Sequence, residues 1–297
     1  MSNPTLVVVL PTYAPGASIL PTLTSLHTSV RAYSDQPYNL VLSDSSPDEN
    51  ICDQARTWAD QSGCRLVIDH SSSRRYVKEA LNAALSKSEV ADADIVIFTN
   101  DDVEFDVNCV SNIVRSLSED TVATIAVGSV LPDPRFRGGG RRAGAWQMDV
   151  VAEIARRLPS TASRAEGAIW ATRGSFAGIY RYPIGSGSIA DDVELQEYVS
   201  KHNVVTLNVP GAVVYKIPPL GFLEFALQTQ RFRTASRTAK AVSLSPLVKW
   251  QAVLVSLAKS PLGALQYLAY RIALSSGFGK RSTTDKENWN RASSTWR

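Results

Sequence analysis

The sequence contains few of the features that mark secreted, zinc-binding or membrane-spanning proteins. It has three cysteines in 297 residues, and their number and spacing fit neither a disulfide framework nor a zinc site. No stretch reaches the roughly 20 apolar residues that a membrane-spanning helix requires. The uncharged segment from Ser2 to Val30 is interrupted by prolines and has no basic region, so it does not resemble a signal peptide. These absences favour a reducing compartment, and we expect the protein in the cytoplasm.

The charges of the chain are unevenly distributed. From Lys216 onward, 13 lysines and arginines stand against 3 acidic residues, whereas the part before Lys216 contains 18 basic and 25 acidic ones. The carboxyl-terminal part therefore has a balance of +10, and the rest has a balance of −7. Such asymmetry indicates a basic segment that meets an anionic surface, such as a phosphate-bearing substrate, lipid headgroups or nucleic acid.

Short apolar segments alternate with helical patterns along the chain as far as Val130. The predicted strands are Leu6–Leu10, Asn39–Ser43, Arg65–Asp69, Ile95–Thr99 and Thr121–Val130. The predicted helices are Ser18–Tyr33, Asn50–Ser62, Arg75–Lys87 and Val107–Ser118. This alternation predicts an α/β fold with a mostly parallel central sheet and helices on both faces. Because ligands of such sheets bind beyond the carboxyl ends of the strands, we expect Asp44 and the pair Asp101-Asp102 in one crevice.

The adjacent carboxylates of Asp101 and Asp102 directly follow the strand Ile95–Thr99. Two close like charges raise each other's pKa unless a positive group lies beside them. Taken alone, the pair fits a solvated loop or a helix N-cap, a position that aspartate often occupies. It equally fits a divalent metal site, because such ions prefer carboxylate oxygens. This stretch by itself does not decide between these interpretations.

The stretch from Pro132 to Gly144 interrupts the alternation with three consecutive glycines and four arginines. It favours a mobile basic loop, which is either a plain flexible linker or a loop that faces phosphate or an acceptor. A predicted helix that opens with a second acidic pair, Asp191-Asp192, comes later. Two further predicted strands, Val204–Val209 and Ala212–Tyr215, follow that helix.

Six short motifs occur in order between residues 5 and 235. They are Pro11-Thr12-Tyr13, Asp44-Ser45-Ser46-Pro47-Asp48, Arg74-Arg75 before Ala80-Leu81-Asn82, Asn100-Asp101-Asp102, Asp191-Asp192-Val193-Glu194-Leu195 and Gln228-Thr229-Gln230-Arg231-Phe232. In this order they resemble the motifs of glycosyltransferase family 2, whose members have the Rossmann-like GT-A fold. The resemblance implies an inverting enzyme that moves a sugar from a nucleotide-diphosphate donor to a hydroxyl of a glycan or lipid-linked acceptor.

The resemblance also implies how a UDP- or GDP-type donor is held. Asp44 would hydrogen-bond the base or the ribose, with Pro11 and Thr12 nearby. Asn100 would lie near the ribose. Arg75 would meet the diphosphate, and the alternative for this arginine is an ordinary surface ion pair.

A divalent metal, Mn²⁺ or Mg²⁺, is the cofactor that the resemblance implies. Asp101 would hold the ion beside the diphosphate, where the metal neutralises the negative charge that develops on the leaving group. Asp102 would either join it as a ligand or cap the following helix. The metal interpretation explains why two adjacent carboxylates follow a buried strand.

The second acidic pair matches the position of the family's general base. A sugar hydroxyl is a poor nucleophile at neutral pH, so a base must take its proton as the bond forms. Asp192 would be that base, and Asp191 would cap or orient the helix. Gln228, Arg231 and Phe232 resemble the motif by which polymer synthases of the family meet acceptor or diphosphate.

The sequence departs from the family pattern at three places. Thr99 or Asn100 stands where many members have the first acid of Asp-x-Asp. Lys216, preceded by a tyrosine, occupies the place of a metal-binding histidine and would pair with the diphosphate directly. Phe232 replaces a tryptophan, which keeps an aromatic face but loses the indole N–H.

The carboxyl-terminal segments Pro246–Ala258 and Pro261–Ser275 have the pattern of basic amphipathic helices. In the first, Leu247, Trp250 and Leu254 share one side, with Lys249 on the other. Such helices either pack on the domain or a twin subunit, or lie on a membrane surface. A membrane contact would place the enzyme peripherally at the inner face of the membrane and would suit a lipid-linked acceptor.

These observations predict three segments and leave two alternatives to the enzyme. Residues 1–235 would form the GT-A domain, 236–278 a basic amphipathic helical extension, and 279–297 a polar, disordered tail. One alternative is a sugar nucleotidyltransferase, but the chain lacks a basic Gly-rich loop after its first strand. The other is a catalytically weak sugar-nucleotide-binding or membrane-scaffold subunit. Nucleic acid is not an expected partner, because the basic excess lacks interleaved aromatic residues.

Overall fold

The computed structural model describes residues 4–13, 19–159, 167–184, 191–235 and 245–276. In these residues the strands are β1 (Leu6–Thr12), β2 (Asn39–Asp44), β3 (Arg65–His70), β4 (Ile95–Thr99), β5 (Val103–Phe105), β6 (Ile125–Pro132), β7 (Ile169–Arg173) and β8 (Thr206–Lys216). The helices are α1 (Leu20–Tyr33), α2 (Asn50–Ser62), α3 (Val77–Leu85), α4 (Ser88–Ala91), α5 (Cys109–Glu119), α6 (Arg142–Arg157), α7 (Gly174–Ile179), α8 (Asp191–His202), α9 (Gly221–Ala235), α10 (Pro246–Lys259) and α11 (Pro261–Ser275).

The described strands form one sheet of eight in the order β3-β2-β1-β4-β7-β6-β8-β5. β1, β2, β3 and β4 run parallel to one another, as the alternation of strands and helices predicted. β7 runs antiparallel to both β4 and β6, so the complete sheet is mixed. The α/β prediction is therefore confirmed, and the parallel half of the sheet carries the motifs that follow β1, β2 and β4.

The central strands are apolar on both faces because helices cover both. Every residue of β1 and β4 is buried, whichever face its side chain occupies. Such continuous burial is typical of parallel strands between two helical layers. On one face Phe98 stacks on Trp170, with ring centroids 4.0 Å apart and planes 4° from parallel. This contact joins β4 to β7 inside the core.

Several elements differ from the sequence-based predictions. β5, β7, α4, α6, α7 and α9 were not predicted, and β8 is one strand where two were predicted. The strand continues through Pro210 and Gly211, the two residues that lie between the two predicted strands. The stretch from Pro132 to Gly144 is not a mobile loop: it forms two short 3₁₀ turns and the start of α6.

The arginines of that stretch have specific partners. Arg135 donates to Asp133, with Nη2 2.5 Å from Oδ2. Arg137 donates to Asp149 from both Nη atoms, at 2.8 and 3.2 Å. Arg141 donates to the carbonyl oxygen of Pro218. Charge-assisted bonds of this kind hold long side chains in place, although the side chains of Arg135 and Arg137 remain 57% and 40% exposed.

The chain divides into two compact units. The first, unit 1, comprises Met1–Ser129 and Leu158–Val214, and the second, unit 2, comprises Val130–Arg157 and Tyr215–Arg297. In unit 2, α6 packs against α10 and α11, and Trp146 contacts Tyr267 with ring centroids 4.6 Å apart. The predicted carboxyl-terminal helices are thus present. The predicted domain boundary at residue 235 and the predicted disorder of residues 279–297 stay predictions, and that tail lies outside the described residues.

Candidate active site

The carboxyl ends of the first four strands form one edge of unit 1. Thr12 at the end of β1 pairs with Asp44 at the end of β2, which pairs with His70 at the end of β3. Backbone bonds extend this alignment past the strands: Ser45 N donates to Thr12 O at 3.0 Å, and Ser71 N donates to Asp44 O at 2.9 Å. This is the edge where ligands bind in open parallel sheets.

Asp101 lies at this edge, in the turn between β4 and β5. Its side chain is buried, and Thr12 Oγ1 donates to its Oδ2 at 2.5 Å. Thr22 Oγ1, on α1, donates to its backbone carbonyl at 2.8 Å. These two threonines fix the carboxylate and the turn. The structure therefore brings together the predicted residues Thr12 and Asp101.

Asp102 does not cap a helix. It is followed by the strand β5, and the N-cap of the next helix, α5, is Asn108. The capping alternative is therefore wrong for Asp102. Asn100 is partly buried at the end of β4, and Pro11 is buried within β1. The proximity of Asn100 to a ribose stays a prediction.

Asp44 is held by four hydrogen bonds and is fully buried. Ser46 donates its backbone N–H and its hydroxyl to Oδ1, at 3.1 and 2.7 Å. Oδ2 lies 2.8 Å from His70 Nδ1 and accepts from Cys52 Sγ at 3.4 Å. Burial raises the pKa of the Cys52 thiol to about 12, and the Asp44 carboxylate adds to the rise. The predicted contact of Asp44 with the nucleotide stays a prediction.

Sequence reasoning missed Cys52 and His70. The ligand atoms of Asp44, Cys52 and His70 lie within 4.8 Å of one another, a group that could hold a metal ion. One signal was available: His70 follows the predicted strand Arg65–Asp69 directly, at the edge where Asp44 also lies. Sulfur and imidazole nitrogen suit softer ions such as zinc, whereas the carboxylates of Asp101 and Asp102 suit Mg²⁺ or Mn²⁺.

Arg75 lies in an ion pair in this structure. Its Nη1 contacts Asp69 Oδ2, and Lys87 Nζ lies 2.8 Å from the other carboxylate oxygen. Burial alone would raise the pKa of Asp69, but the hydrogen bonds from Lys87 and Arg75 outweigh it and lower that pKa. The diphosphate contact of Arg75 stays a prediction. Beside it, the guanidinium of Arg74 lies over the ring of Tyr13, 4.6 Å from the centroid.

The second acidic pair lies near the same edge. Asp191 and Asp192 form the start of α8, and Val193 N donates to Asp192 Oδ1 at 2.9 Å. A Cβ placed on Gly167 would lie at ordinary contact distance, 3.5 Å, from Asp191 Oδ2, so Gly167 is a neighbour of that carboxylate. The next residue after Gly167 accepts a hydrogen bond from Thr99 Oγ1, at the end of β4, at 3.0 Å. Both acidic pairs thus border the β4–β7 junction.

Two contacts from α3 position α8 and the segment before it. Lys78 Nζ lies 3.2 Å from Glu194 Oε1, and both side chains are buried. Asn82 Nδ2 donates to Tyr182 O, and Tyr182 N donates to Asn82 Oδ1, each at 2.8 Å. Burial, followed by the charge of Asp191, raises the pKa of the Tyr182 phenol. These contacts give a structural purpose to the Ala80-Leu81-Asn82 motif.

The remaining predicted site residues belong to unit 2. Lys216 ends β8, and its carbonyl oxygen accepts from Asp133 N at 2.9 Å. Gln228 is half-buried on α9. The backbones of Arg231 and Phe232 also lie in α9, but their side chains are outside the described residues. The acceptor or diphosphate roles of these four residues stay predictions.

Comparisons with known proteins agree with these observations. A model of glycosyl transferase family 2 matches residues 7–178, which is more than half of the chain. This match covers the motifs that follow β1, β2, β3 and β4. No curated protein sequence matches the chain.

Several solved structures resemble the fold. The mannosyltransferase PcManGT from Pyrobaculum calidifontis, solved with GDP-Man and Mn²⁺, is 20% identical with a TM-score of 0.56, covering 95% of this chain and 77% of that one. S. aureus TarS 1-349 with UDP-GlcNAc is 14% identical with a TM-score of 0.50, and the alignment covers 95% of this chain and 77% of that one. GalNAc-T7, solved with UDP, GalNAc and Mn²⁺, is 16% identical with a TM-score of 0.52, and the alignment covers 72% of this chain and 43% of that one. At these identities the likeness establishes the GT-A fold.

Proposed function

The chain belongs to glycosyl transferase family 2, and on that premise we propose that it is an inverting transferase for a glycan or lipid-linked acceptor. It is a glycosyltransferase of the GT-A fold. The observation that carries the proposal is the arrangement at one edge of unit 1. There Asp101 is fixed by Thr12, and the pair Asp191-Asp192 borders the same β4–β7 junction. A donor-binding acid and a base are needed at one site for this chemistry.

The donor in this proposal is a UDP- or GDP-type sugar nucleotide. Two similar structures were solved with GDP-Man and with UDP-GlcNAc, which supports both nucleotide types. Asp44 and Asn100, together with Pro11 and Thr12 at the end of β1, would surround the nucleoside. Arg75 would reach the diphosphate after leaving Asp69. Lys216, Gln228, Arg231 and Phe232 would meet the diphosphate or the acceptor.

A divalent metal belongs to the proposal, and the donor chemistry of the site fits it. Asp101 and Asp102 offer adjacent carboxylates in a turn at the carboxyl edge, and hard ions prefer such oxygens. Two similar structures contain Mn²⁺. When bound, Mn²⁺ or Mg²⁺ would neutralise the charge on the departing diphosphate. The softer Asp44–Cys52–His70 group is not the site we assign to this ion.

Asp192 would take the proton of the acceptor hydroxyl. A carboxylate in the first turn of a helix lies at the positive end of the helix dipole, which is a favourable position for a negative charge. Asp191 would orient the helix start. Attack by the activated hydroxyl on the face opposite the leaving group inverts the anomeric carbon. We also propose a cytoplasmic enzyme that associates with the inner face of the membrane.

One experiment tests both carboxylate roles, with donor binding measured by calorimetry beside a transfer assay. Asp101→Asn should abolish the Mn²⁺-dependent part of donor affinity. Asp192→Asn should lower transfer by about 10²–10⁴, which is the usual contribution of a general base, and leave donor affinity nearly unchanged. Asp191→Asn is the matched control and should lose much less transfer.

Three results would contradict this assignment. If Asp101→Asn keeps its full activity and metal response, Asp101 is not the metal ligand. If Asp191→Asn is inactive and Asp192→Asn active, their roles are exchanged. If both variants at the start of α8 stay active, this pair does not supply the base.

A further inference from the structure

The outer face of α10 and α11 is unusually apolar. Eight large apolar side chains on these helices are between 40% and 66% exposed: Leu247, Trp250, Leu254, Leu257, Leu262, Leu265, Leu268 and Ile272. They recur every three or four residues, which places those of each helix along one side. A contiguous apolar surface of this kind on a globular protein marks an interaction site. We call these eight side chains the apolar face.

The opposite sides of both helices are already packed within unit 2. Ala252, Ser256 and Gly263 are buried, and Ala143 N on α6 donates to Gln266 Oε1 at 2.9 Å. A Cβ on Gly263 would lie 2.9 Å from the carbonyl oxygen of Arg142, so α11 approaches α6 closely there. Packing on α6 therefore fixes the position of both helices. The apolar face is the side that points away from α6.

The charge of these helices distinguishes between occupants of the apolar face. Residues 246–275 contain Lys249, Lys259 and Arg271 and no aspartate or glutamate, and of these three Lys259 contacts Glu153 on α6. A second copy docked through the same surface would carry the same positive charge and would therefore offer these helices no complementary charge. An anionic bilayer instead attracts basic side chains near its surface, above all the exposed Lys249. We propose that the apolar face inserts into the headgroup region of an anionic lipid bilayer.

The geometry favours helices that lie in the membrane surface. In the described part of the chain no single helix is long and apolar enough to cross a bilayer. α10 and α11 pass that test only as a pair, and the pair bends by 119°. With 14 and 15 residues, each helix is about 21–23 Å long, shorter than the ~30 Å hydrocarbon core. Trp250 is 66% exposed, and tryptophan prefers the membrane–water interface.

The test is flotation of the purified full chain with two kinds of vesicle, one of phosphatidylcholine alone and one containing phosphatidylglycerol. The full chain should float with the anionic vesicles and more weakly with the neutral ones. The double variant Leu254→Gln, Leu265→Gln removes one apolar side chain from each helix. It should bind anionic vesicles about tenfold more weakly or worse, because each exposed leucine contributes by its own burial in lipid.

A matched control separates lipid contact from a general effect of losing exposed apolar surface. Val122, in unit 1, is 70% exposed, so Val122→Gln should leave vesicle binding unchanged. All variants should keep the parent Tm, because the replaced side chains are exposed. Lys249→Gln should weaken binding to the anionic vesicles only.

Two outcomes would overturn the proposal. The first is equal flotation of the parent and the double variant. The second is a dimer in light scattering that the double variant converts to monomer, which would make the apolar face a protein interface. Transfer to a soluble acceptor, measured on the same variants, tests the proposed catalytic function separately, because these residues take no part in it.

Discussion

At the scale of single residues, the site is built by hydrogen bonds that join neighbouring strand ends. Asp101 follows a strand that the sequence predicts well, so its position at the sheet edge was predictable. Its burial was not, because Thr12 and Thr22 reach it across 89 and 79 residues of sequence. Such contacts depend on strand order, which no local pattern contains. The turn after β4 is therefore more rigid than the solvated loop that its two carboxylates suggest.

The contacts of Asp44 were also not predictable from local sequence patterns. Its four hydrogen bonds use the acceptor positions of both carboxylate oxygens, and its side chain is fully buried. His70 shares Oδ2 through Nδ1, but its side chain is 20% exposed. The imidazole therefore reaches solvent at the carboxyl edge and the carboxylate does not. The prediction that Asp44 contacts the nucleotide directly therefore has an alternative, in which Asp44 holds His70 and His70 makes the contact.

The prediction concerns His70→Ala. If the imidazole contacts the donor nucleotide, its loss should weaken donor binding roughly 3- to 10-fold, the value of one or so neutral hydrogen bonds. Asp44→Asn should weaken donor binding and also lower the Tm, because it disturbs a buried network. Calorimetric donor binding and thermal melts on both variants give the two readouts.

The control for His70 is Cys52→Ala, which removes a different partner of the same carboxylate oxygen. Cys52 is fully buried, so its loss should change the Tm slightly and leave donor affinity as it was. Two results together would show that Asp44 touches the nucleotide directly. His70→Ala would keep the donor affinity of the parent, and Asp44→Asn would lose much of its donor affinity while its Tm stays unchanged.

At the scale of elements, local patterns predicted the parallel half of the sheet and β6, but they missed β5 and β7. β1 to β4, α2 and the carboxyl-terminal helices have clear periodicity and clear ends. β5 and β7 are only three and five residues long, and pairing with partners distant in sequence defines them. α6 was missed because its glycine- and arginine-rich start suggests a loop. Arg137 bonds to Asp149 on that helix, and this pairing is visible only in three dimensions.

The position of α8 depends on an ion pair that could not be predicted from the sequence, because its two residues are far apart along the chain. Lys78 and Glu194 meet at 3.2 Å with side chains 9% and 7% exposed. Water screens such a pair little, and removing one partner leaves the other charge buried without its counter-ion. Since α8 begins with Asp191 and Asp192, this pair helps to set where the proposed base lies.

Lys78→Met should lower the free energy of unfolding by about 3–5 kcal/mol, the usual cost of breaking a buried pair from one side. The double variant Lys78→Met, Glu194→Leu should recover most of that loss. Urea unfolding of both variants measures it, and Lys201→Met, at an exposed position on α8, is the control. Equal stability of the single and double variants would mean that the pair does not hold α8.

At the scale of the whole molecule, the uneven distribution of charge follows roughly the division into two compact units. Unit 1 contains the proposed catalytic carboxylates, and the carboxyl-terminal part contains the basic excess. The uneven charge and the amphipathic helices were readable from the sequence, because both are properties of composition and periodicity. The membership of α6 in unit 2 was not readable, since the segment Leu158–Val214, which belongs to unit 1, separates it from the rest of that unit.

One acidic residue connects α6 to α10 within unit 2. Glu153 is 8% exposed and contacts Arg156 at 3.0 Å, Arg157, and Lys259 at 3.5 Å. Burial alone would raise the pKa of Glu153, but Arg157, Lys259 and Arg156 outweigh it, and the pKa is lowered. Because the folded-state pKa lies below the unfolded one, this group stabilises the fold above the unfolded pKa. That stabilisation is lost as the pH falls through the lowered, folded-state pKa.

We therefore expect Glu153→Gln to lower the free energy of unfolding by about 1–2 kcal/mol at pH 7, since its basic partners are partly exposed and water screens them. The difference from the parent should shrink below about pH 4 and vanish once Glu153 is protonated in the parent as well. Urea unfolding between pH 3 and 7 measures this, with Glu119→Gln at an exposed position as the control, expected within about 0.5 kcal/mol. Because two compact units can unfold separately, the shift should appear in the transition that reports on Trp146 in unit 2. A difference that stays constant across the whole pH range would show that Glu153 stabilises α6 by packing and not by its charge.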